Sequence, residues 1–260
     1  MTFDLVVATV ERVDELGRLL KSLQQQTEQD FRVLVVDQND DDRVADVLAQ
    51  HVDLNTERLR APRGLSRARN EALPRLKADI VGFPDDDCVY PEDLLERVSD
   101  RLERDGGLDG VTGREPWWTT TGALLTRDNL WNRAISFTIF LRRSLIERVG
   151  RFDESLGLPS SSGEETDYLI RAVDSGARIE YDPNLVVEHA EKTLDPVTVG
   201  ARDGASLGYI LRKHRYPPST VARMLVRPAG GAVLAALRAD GRRARFHIAT
   251  LQGRVSGYRS

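Results

Sequence analysis

Three consecutive aspartates, Asp85, Asp86 and Asp87, follow a strand-like segment at residues 79–83. Like charges a few ångströms apart repel by on the order of 1 to 4 kcal/mol per pair, so solvent or a cation must disperse them. Mg²⁺ and Mn²⁺ commonly bind one or two carboxylates and leave positions for water and a substrate phosphate. A solvated acidic turn, or carboxylates gathered at the helix start near Pro91, explains the same residues without a ligand.

The elements that must position these aspartates alternate between strands and helices. Short β-branched apolar runs are typical of buried strands, and leucines at helical spacing follow them. This alternation predicts a mostly parallel sheet covered by helices, with ligands at the carboxyl ends of its strands. The predicted strands are residues 3–10, 31–36 and 79–83, and the predicted helices are residues 13–23, 43–51, 65–73 and 91–102.

The alternation weakens after about residue 106, where we expect mixed topology. Strands are predicted at residues 108–115 and 136–141, a helix at 144–149, and a further strand before His189.

Composition excludes several classes of protein. The 260 residues are 40% apolar and 30% charged, as in ordinary globular proteins, and the net charge of -4 does not favour nucleic acid. The single cysteine, Cys88, excludes an internal disulfide framework. No run approaches the roughly 18 to 20 consecutive apolar residues of a membrane span, and the first residues do not resemble a signal peptide, so we expect a cytoplasmic protein.

The charge is unevenly distributed along the chain. Residues 212–260 contain eleven Lys or Arg and one acidic residue, whereas the first 211 residues contain 26 basic and 40 acidic ones. Apolar clusters interrupt the basic segment, as in helices that lie on anionic membranes. The sequence therefore predicts a basic helical extension, either peripheral at the inner face of a membrane or docked on the acidic body.

Six segments, in order and at matching separations, resemble family 2 glycosyltransferases over about residues 3–190. Four resemble the opening strand and loop (VVATVERVDELGRLL), the second strand (FRVLVVDQNDDD), the Gly-x-x-x-Ala-Arg-Asn helix (RGLSRARNEAL) and the metal-motif strand (VGFPDDDCVYPEDLL). The other two resemble the approach to the acceptor side (FLRRSLIERVGRFDESL) and the base motif (SGEETDYLIRA).

The resemblance implies an α/β fold of the GT-A type, in which a Rossmann-like, mixed but mostly parallel sheet lies between helices. The GT-A domain would span residues 1–211, with a nucleotide-binding half at about 1–105 and an acceptor half at about 106–211. Residues 212–260 would then form the helical C-terminal extension.

The resemblance also implies a site for a nucleoside diphosphate sugar of the UDP, GDP or dTDP type. Asp37 would accept a hydrogen bond from the base, and Asp86 would lie near the ribose or donor sugar. Arg63 and Arg69 would each pair with Asp37 or with the diphosphate, for which guanidinium geometry is suited. The donor-binding residues implied in this way are Thr9, Arg12, Asp37, Arg63, Arg69 and Asp86.

The same resemblance implies a divalent cation, Mn²⁺ or Mg²⁺, held by Asp85 and Asp87. Of the four histidines, His189 alone follows an apolar strand, at about the place where some family members supply a third ligand. Imidazole is compatible with Mn²⁺. A histidine that merely ends a strand is the alternative interpretation.

A transfer that inverts the anomeric carbon requires one carboxylate to accept the proton of the attacking hydroxyl. Glu165 matches the family's catalytic aspartate with a carboxylate one methylene longer, and Glu164 is the alternative. Both also fit the first turn of a helix, after a Ser/Gly loop at residues 160–163, where the helix dipole favours acidic residues. Asp167 and Arg171 are spaced to form a surface ion pair.

The adjacent tryptophans Trp117 and Trp118, together with Asp167, are the candidates for contact with the hydroxyl acceptor, although both tryptophans also fit a core. We therefore predict an inverting, metal-dependent glycosyltransferase. Two alternatives remain at this point: a sugar-1-phosphate nucleotidyltransferase, which should have a glycine-rich loop that residues 8–14 lack, and an inactive nucleotide-sugar-binding scaffold.

Overall fold

The computed structural model describes residues 1–158, 162–189 and 195–260. The chain divides into two compact units, one comprising Met1–Asp153 and Glu165–Ala190, the other Glu154–Glu164 and Glu191–Ser260. Residues 160 and 161 of the predicted Ser/Gly loop lie outside the described part of the chain.

A mixed eight-stranded sheet forms the centre of the first unit. Its strands are β1 (Phe3–Thr9), β2 (Phe31–Asp37), β3 (Thr56–Arg60), β4 (Ile80–Gly82), β6 (Gly110–Arg114), β7 (Ala123–Leu124), β8 (Ile139–Arg142) and β9 (Ile179–Val186). The order across the sheet is β3-β2-β1-β4-β8-β6-β9-β7. A separate antiparallel pair joins β5 (Cys88–Val89) to β10 (Glu188–His189).

The first four strands of the sheet are parallel and bring their carboxyl ends to one edge. The β1 and β2 strands pair in register from Phe3 opposite Phe31 to Thr9 opposite Asp37. Both strands are almost wholly buried, because helices cover both faces of the sheet, and their apolar runs are therefore nearly continuous. Antiparallel pairing begins at β8, which lies between β4 and β6.

Helices cover the sheet with two apolar clusters. The α1 and α4 helices pack through fully buried leucines on one face, and residues of α3, α5 and α6 form the cluster on the other. The helices of this unit are α1 (Val13–Gln24), α2 (Arg43–Leu48), α3 (Leu65–Ala72), α4 (Leu94–Arg104), α5 (Arg143–Val149) and α6 (Glu164–Asp174).

Most predicted elements are present, the two-residue strands β5 and β7 were not predicted, and there are three further differences. The β3 strand was not predicted, because TERLR contains one apolar residue and lies at the edge of the sheet. The α4 helix begins at Leu94 rather than Pro91, because Pro91 precedes a turn. The predicted strand at 136–141 begins as a 3₁₀ turn, Ser136–Thr138, before β8.

Three helices dominate the second unit: α7 (Pro196–Lys213), α8 (Pro218–Leu237) and α9 (Gly241–Arg259). The predicted extension started at residue 212, but α7 runs through that position. The predicted boundary was placed where basic residues begin to predominate. The compact helical unit instead begins before α7, because α7 packs against α9.

The α7 and α9 helices pack closely through small residues. A Cβ atom on Gly204 would lie 2.5 Å from the backbone oxygen of Thr250, and one on Gly257 would overlap the backbone oxygen of Ala205. Glycines therefore allow the two backbones to approach more closely than any larger residue would permit.

One helix among the described residues, α8, is long and apolar enough to cross a membrane by length and composition, with a mean hydropathy of 1.3. The expectation that no run approaches roughly 18 to 20 consecutive apolar residues is unchanged. Alanines and glycines extend the weakly apolar stretch, although Arg223 and Arg227 interrupt it. Composition of this kind is weak evidence for spanning.

We predict opposite effects for Gly257→Ala and Gly230→Ala. The first should lower the free energy of unfolding of the helical unit by about 1 to 3 kcal/mol, because the methyl group displaces a packed backbone. A Cβ atom on Gly230 meets nothing within 4 Å, so that variant should gain up to about 1 kcal/mol from helix propensity. Urea denaturation of both variants measures the difference, and equal stability of Gly257→Ala and wild type would contradict the packing.

Candidate functional site

The loops after β1 and β4 meet at the carboxyl edge of the sheet. Ala8 forms a parallel bridge with Asp85, and the Thr9 hydroxyl donates a hydrogen bond of 2.9 Å to Asp86 Oδ2. The order of the strands causes this meeting, since β1 and β4 are parallel neighbours. The aspartate triplet therefore lies beside the first loop of the fold.

Arg12 joins the two loops electrostatically. Its guanidinium lies 3.0 Å from Asp86 Oδ1 and 2.7 Å from Asp87 Oδ2. Burial raises the pKa of Asp86 to about 6, against the opposing effects of Arg12 and the Thr9 hydroxyl. Two cationic contacts thus offset part of the repulsion within the triplet.

Asp85, Asp87 and His189 form a cluster that can hold a metal ion. One potential ligand atom from each residue lies within 4.8 Å of the others, close to twice a metal–oxygen distance of about 2.1 Å. The pairing of β5 with β10 places His189 opposite Cys88, and His189 Nε2 lies 2.9 Å from Asp87 Oδ1. Two carboxylates and an imidazole form a donor set that suits Mn²⁺.

Two neighbouring residues that the sequence analysis missed contact this cluster. The Ser136 hydroxyl lies 3.1 Å from each oxygen of Asp85, and the Phe137 ring stacks on His189 with centroids 4.9 Å apart. Neither residue belongs to a motif that the sequence analysis considered. They approach the ligands because the 3₁₀ turn precedes β8, the neighbour of β4.

Asp37 is completely buried at the end of β2, where its carboxylate is held from both sides. The backbone and side-chain amides of Asn39 donate to Oδ1 at 2.9 and 2.8 Å, and Arg58 donates to Oδ2 at 2.9 and 2.6 Å. Burial by itself would raise the pKa of Asp37, but these hydrogen bonds outweigh it and lower the pKa. Arg60 approaches Oδ2 to 3.5 Å.

The predicted pairing of Asp37 with Arg63 or Arg69 is corrected by these contacts. Among the described residues, its cationic partners are Arg58 and Arg60, on the strand that the sequence analysis missed. Parallel pairing of β2 with β3 places Arg60 opposite Asp37 and Arg58 two residues earlier on the same strand. A predicted β3 would have drawn attention to both.

Arg63 and Arg69 occupy different environments. Arg63 is exposed and forms an ion pair with Glu11 in the loop after β1. Arg69, on α3, is only 2% exposed, and its guanidinium lies 5.6 Å from the ring centroid of Phe83. It also lies 3.7 Å from Asp85 Oδ1. A diphosphate contact for either arginine stays a prediction.

The two glutamates proposed as the base differ in exposure. Glu164 is only 4% exposed, whereas Glu165 is partly exposed. Glu165 lines a cavity of about 10 Å³ with Arg69 and Ser136, both of which contact Asp85. The cavity is too small for a sugar. An acceptor would therefore have to reach the part of the Glu165 side chain that is exposed to solvent.

Asp167 is fully buried and accepts a hydrogen bond of 3.0 Å from Arg171 Nε. The predicted ion pair therefore forms, but it is not a surface pair, because the side chain of Asp167 lies on the face of α6 that packs into the core. Burial of the carboxylate does not favour the predicted contact of Asp167 with an acceptor.

The two tryptophans after β6 differ in exposure. Trp117 is 63% exposed, whereas Trp118 packs against the core. Glu115, which the sequence analysis missed, lies beside them and is 9% exposed. Burial raises the pKa of Glu115, while the nearby His189 acts in the opposite direction. A third carboxylate thus lies close to the histidine of the candidate metal cluster.

The chain resembles curated glycosyltransferases. A pre-mycofactocin glycosyltransferase of Mycobacterium tuberculosis is 28% identical over 277 residues, covering 96% of this chain and 56% of the relative. An uncharacterized glycosyltransferase of Haemophilus influenzae is 30% identical over 108 residues, 41% of this chain and 36% of the relative. The chain spans little more than half of the mycobacterial relative.

Solved structures share the fold at low sequence identity. The mannosyltransferase PcManGT from Pyrobaculum calidifontis, in complex with GDP-Man and Mn²⁺, matches 98% of this chain and 86% of its own at 18% identity, with a TM-score of 0.73. S. aureus TarS 1-349 in complex with UDP-GlcNAc matches 100% and 92% at 16% identity, with a TM-score of 0.62. These matches and the mixed sheet show the GT-A-like fold.

The family model described as glycosyl transferase family 2 matches residues 4–149, more than half of the chain and all of the strands that carry the aspartate cluster. The four segments before residue 96 that resemble this family lie inside the matched region, whereas Glu165 and His189 lie beyond it. On this evidence the chain belongs to glycosyl transferase family 2.

Proposed function

We propose that this chain transfers a sugar from a nucleoside diphosphate donor to a hydroxyl acceptor, with inversion and with a divalent cation. The observation that carries the proposal is the convergence of Asp85, Asp87 and His189 within 4.8 Å, next to a cavity lined by Glu165. This arrangement supplies a cation site and a carboxylate base on neighbouring elements of one compact unit. Mn²⁺ or Mg²⁺ bound there would stabilise negative charge on the departing diphosphate.

The donor residues lie around the loops after β1 and β2. Thr9 and Arg12 are already oriented by Asp86, so their positions do not depend on the arrival of a nucleotide. Both oxygens of Asp37 already accept hydrogen bonds, so an N–H of the base would share one of these oxygens with Asn39 or Arg58. A UDP, GDP or dTDP donor would be consistent with this site, and mannosyltransferase PcManGT binds GDP-Man.

Glu165 would accept the proton of the acceptor hydroxyl as that oxygen attacks the anomeric carbon. The bond to the diphosphate breaks on the opposite face, which inverts the configuration. The exposed Trp117 ring is a candidate platform for the acceptor, because aromatic faces offer apolar contact to a sugar ring. Membership of family 2 does not favour the nucleotidyltransferase alternative.

Nucleoside diphosphate binding should depend on a divalent cation. Without one, the carboxylates of Asp85 and Asp87 repel the phosphates, so chelation should weaken binding of the diphosphate at least about tenfold, or 1.4 kcal/mol. Asp87→Asn should remove most of the cation dependence, whereas Asp100→Asn, an exposed residue of α4, should retain it. Calorimetric titration with UDP and with GDP, each in the presence of Mn²⁺ and then of chelator, measures the cation dependence of the affinity. Equal affinities in both media would refute the metal assignment.

Glu165→Gln should abolish turnover and leave donor affinity within a few fold, because a base acts on the acceptor and not on the nucleotide. We expect a loss of roughly 10²- to 10⁴-fold in kcat. Glu164→Gln is the matched control, one residue earlier on the same helix turn. Steady-state kinetics and donor titrations distinguish the two. An active Glu165→Gln enzyme beside an inactive Glu164→Gln enzyme would assign the base to Glu164.

We further propose that the basic C-terminal helices bring the enzyme to the inner face of an anionic membrane, from a cytoplasmic location. Along α8, one exposed face combines Arg223 and Arg227 with Val226, Val233 and Leu237, of which the apolar residues are 67%, 62% and 80% exposed. Arginines within an apolar helix face favour a helix that lies in the membrane surface. A lipid-linked acceptor would be found there.

The protein should co-sediment with phosphatidylglycerol vesicles at low salt, and binding should weaken as salt shortens the Debye length to about 8 Å. A Val233→Ser/Leu237→Ser variant should bind at least tenfold less, because each apolar side chain contributes roughly 1.5 to 3 kcal/mol when buried. Val52→Ser, at a residue 79% exposed in the first unit, is the control. Failure of the wild-type protein to co-sediment with anionic vesicles at low salt would exclude the membrane proposal.

A further inference from the structure

The 3₁₀ turn Ser136–Thr138 contacts two of the three candidate metal ligands from outside the cluster. Building on the proposed function, we infer that Ser136 and Phe137 are positioning residues that hold Asp85 and His189 ready for the cation. Both side chains contact the metal ligands, and the proposal does not require either of them to bind the cation. The motifs that match the family do not include this turn.

Ser136 fixes the plane of the Asp85 carboxylate. Its hydroxyl lies 3.1 Å from both Oδ1 and Oδ2, so its single proton can be donated to either oxygen. Arg69 Nη2 lies 3.7 Å from Oδ1 of the same carboxylate. A carboxylate constrained in this way loses less rotational freedom when it binds a metal ion.

Phe137 fixes the plane of the His189 ring. The two rings are parallel within 2°, with centroids 4.9 Å apart, and Phe137 is only 1% exposed. With the ring in this plane, His189 Nε2 lies 2.9 Å from Asp87 Oδ1, so these two potential metal-ligand atoms are close together. A smaller, non-planar side chain at position 137 would allow the imidazole to tilt.

The turn itself is anchored in the core. The buried Tyr90 hydroxyl donates a hydrogen bond of 2.9 Å to the Phe137 carbonyl. Tyr90 follows β5, the strand that pairs with the segment of His189. The turn is therefore held by the same elements that present the ligands, which is what a supporting shell requires.

Titration of Mn²⁺ into the full chain by calorimetry tests this inference without substrate or turnover. Ser136→Ala and Phe137→Leu should each weaken Mn²⁺ binding roughly 10- to 100-fold, as changes in supporting residues around metal sites do. Thr138→Val is the matched control, because its hydroxyl bonds within the turn and contacts none of the three ligands; its affinity should stay near that of wild type. Thermal melts report whether each variant is folded.

Pulsed electron paramagnetic resonance of bound Mn²⁺ separates the two roles. Phe137→Leu should alter the coupling of Mn²⁺ to the imidazole nitrogen, whereas Ser136→Ala should leave that coupling unchanged. Mn²⁺ affinity unchanged in a folded Ser136→Ala variant, or equally weakened in Thr138→Val, would overturn the positioning role while the metal proposal stands. Wild type that binds no Mn²⁺ would overturn both, and loss of turnover in Glu165→Gln tests the base independently.

Discussion

Repulsion among Asp85, Asp86 and Asp87 is the constraint to which the surrounding structure responds. Two elements meet the three carboxylates: Arg12 and Thr9 at the end of β1 hold Asp86 and Asp87, and the Ser136 turn holds Asp85. These partners offset part of the repulsion, whereas burial raises the pKa of Asp86 to about 6. The site is thus built around negative charge before any ligand binds.

Parallel pairing in the first half of the sheet makes this arrangement possible. The in-register pairing of β1 with β2 puts Thr9 beside Asp37, and β4 brings the triplet to the same edge. The antiparallel β8 then delivers the Ser136 turn, and the small β5–β10 pair delivers His189. Asp87 and His189 lie more than 100 positions apart in the chain and meet because β5, the partner strand of β10, begins directly after the triplet.

The helical unit depends on close packing of small residues and has an exposed apolar and basic face. Close approach of α7 and α9 depends on glycines such as Gly204 and Gly257, whereas the exposed face of α8 combines apolar and basic side chains. Tight packing on one side and exposed apolar surface on another are consistent with a unit whose outer face has a partner. Basic residues beside exposed apolar side chains on this face favour an anionic membrane surface as the first partner to test.

The sequence by itself determined the alternating α/β pattern, the GT-A resemblance and the metal-type carboxylates, because these depend on local periodicity and on motifs contiguous in the chain. Only the tertiary structure showed that Arg58 and Arg60 pair with Asp37, since an edge strand with one apolar residue carries almost no hydrophobic signal. The same is true of Ser136 and Phe137, whose contacts depend on which strand lies beside β4. Strand order is set by long-range packing, and no local pattern encodes it.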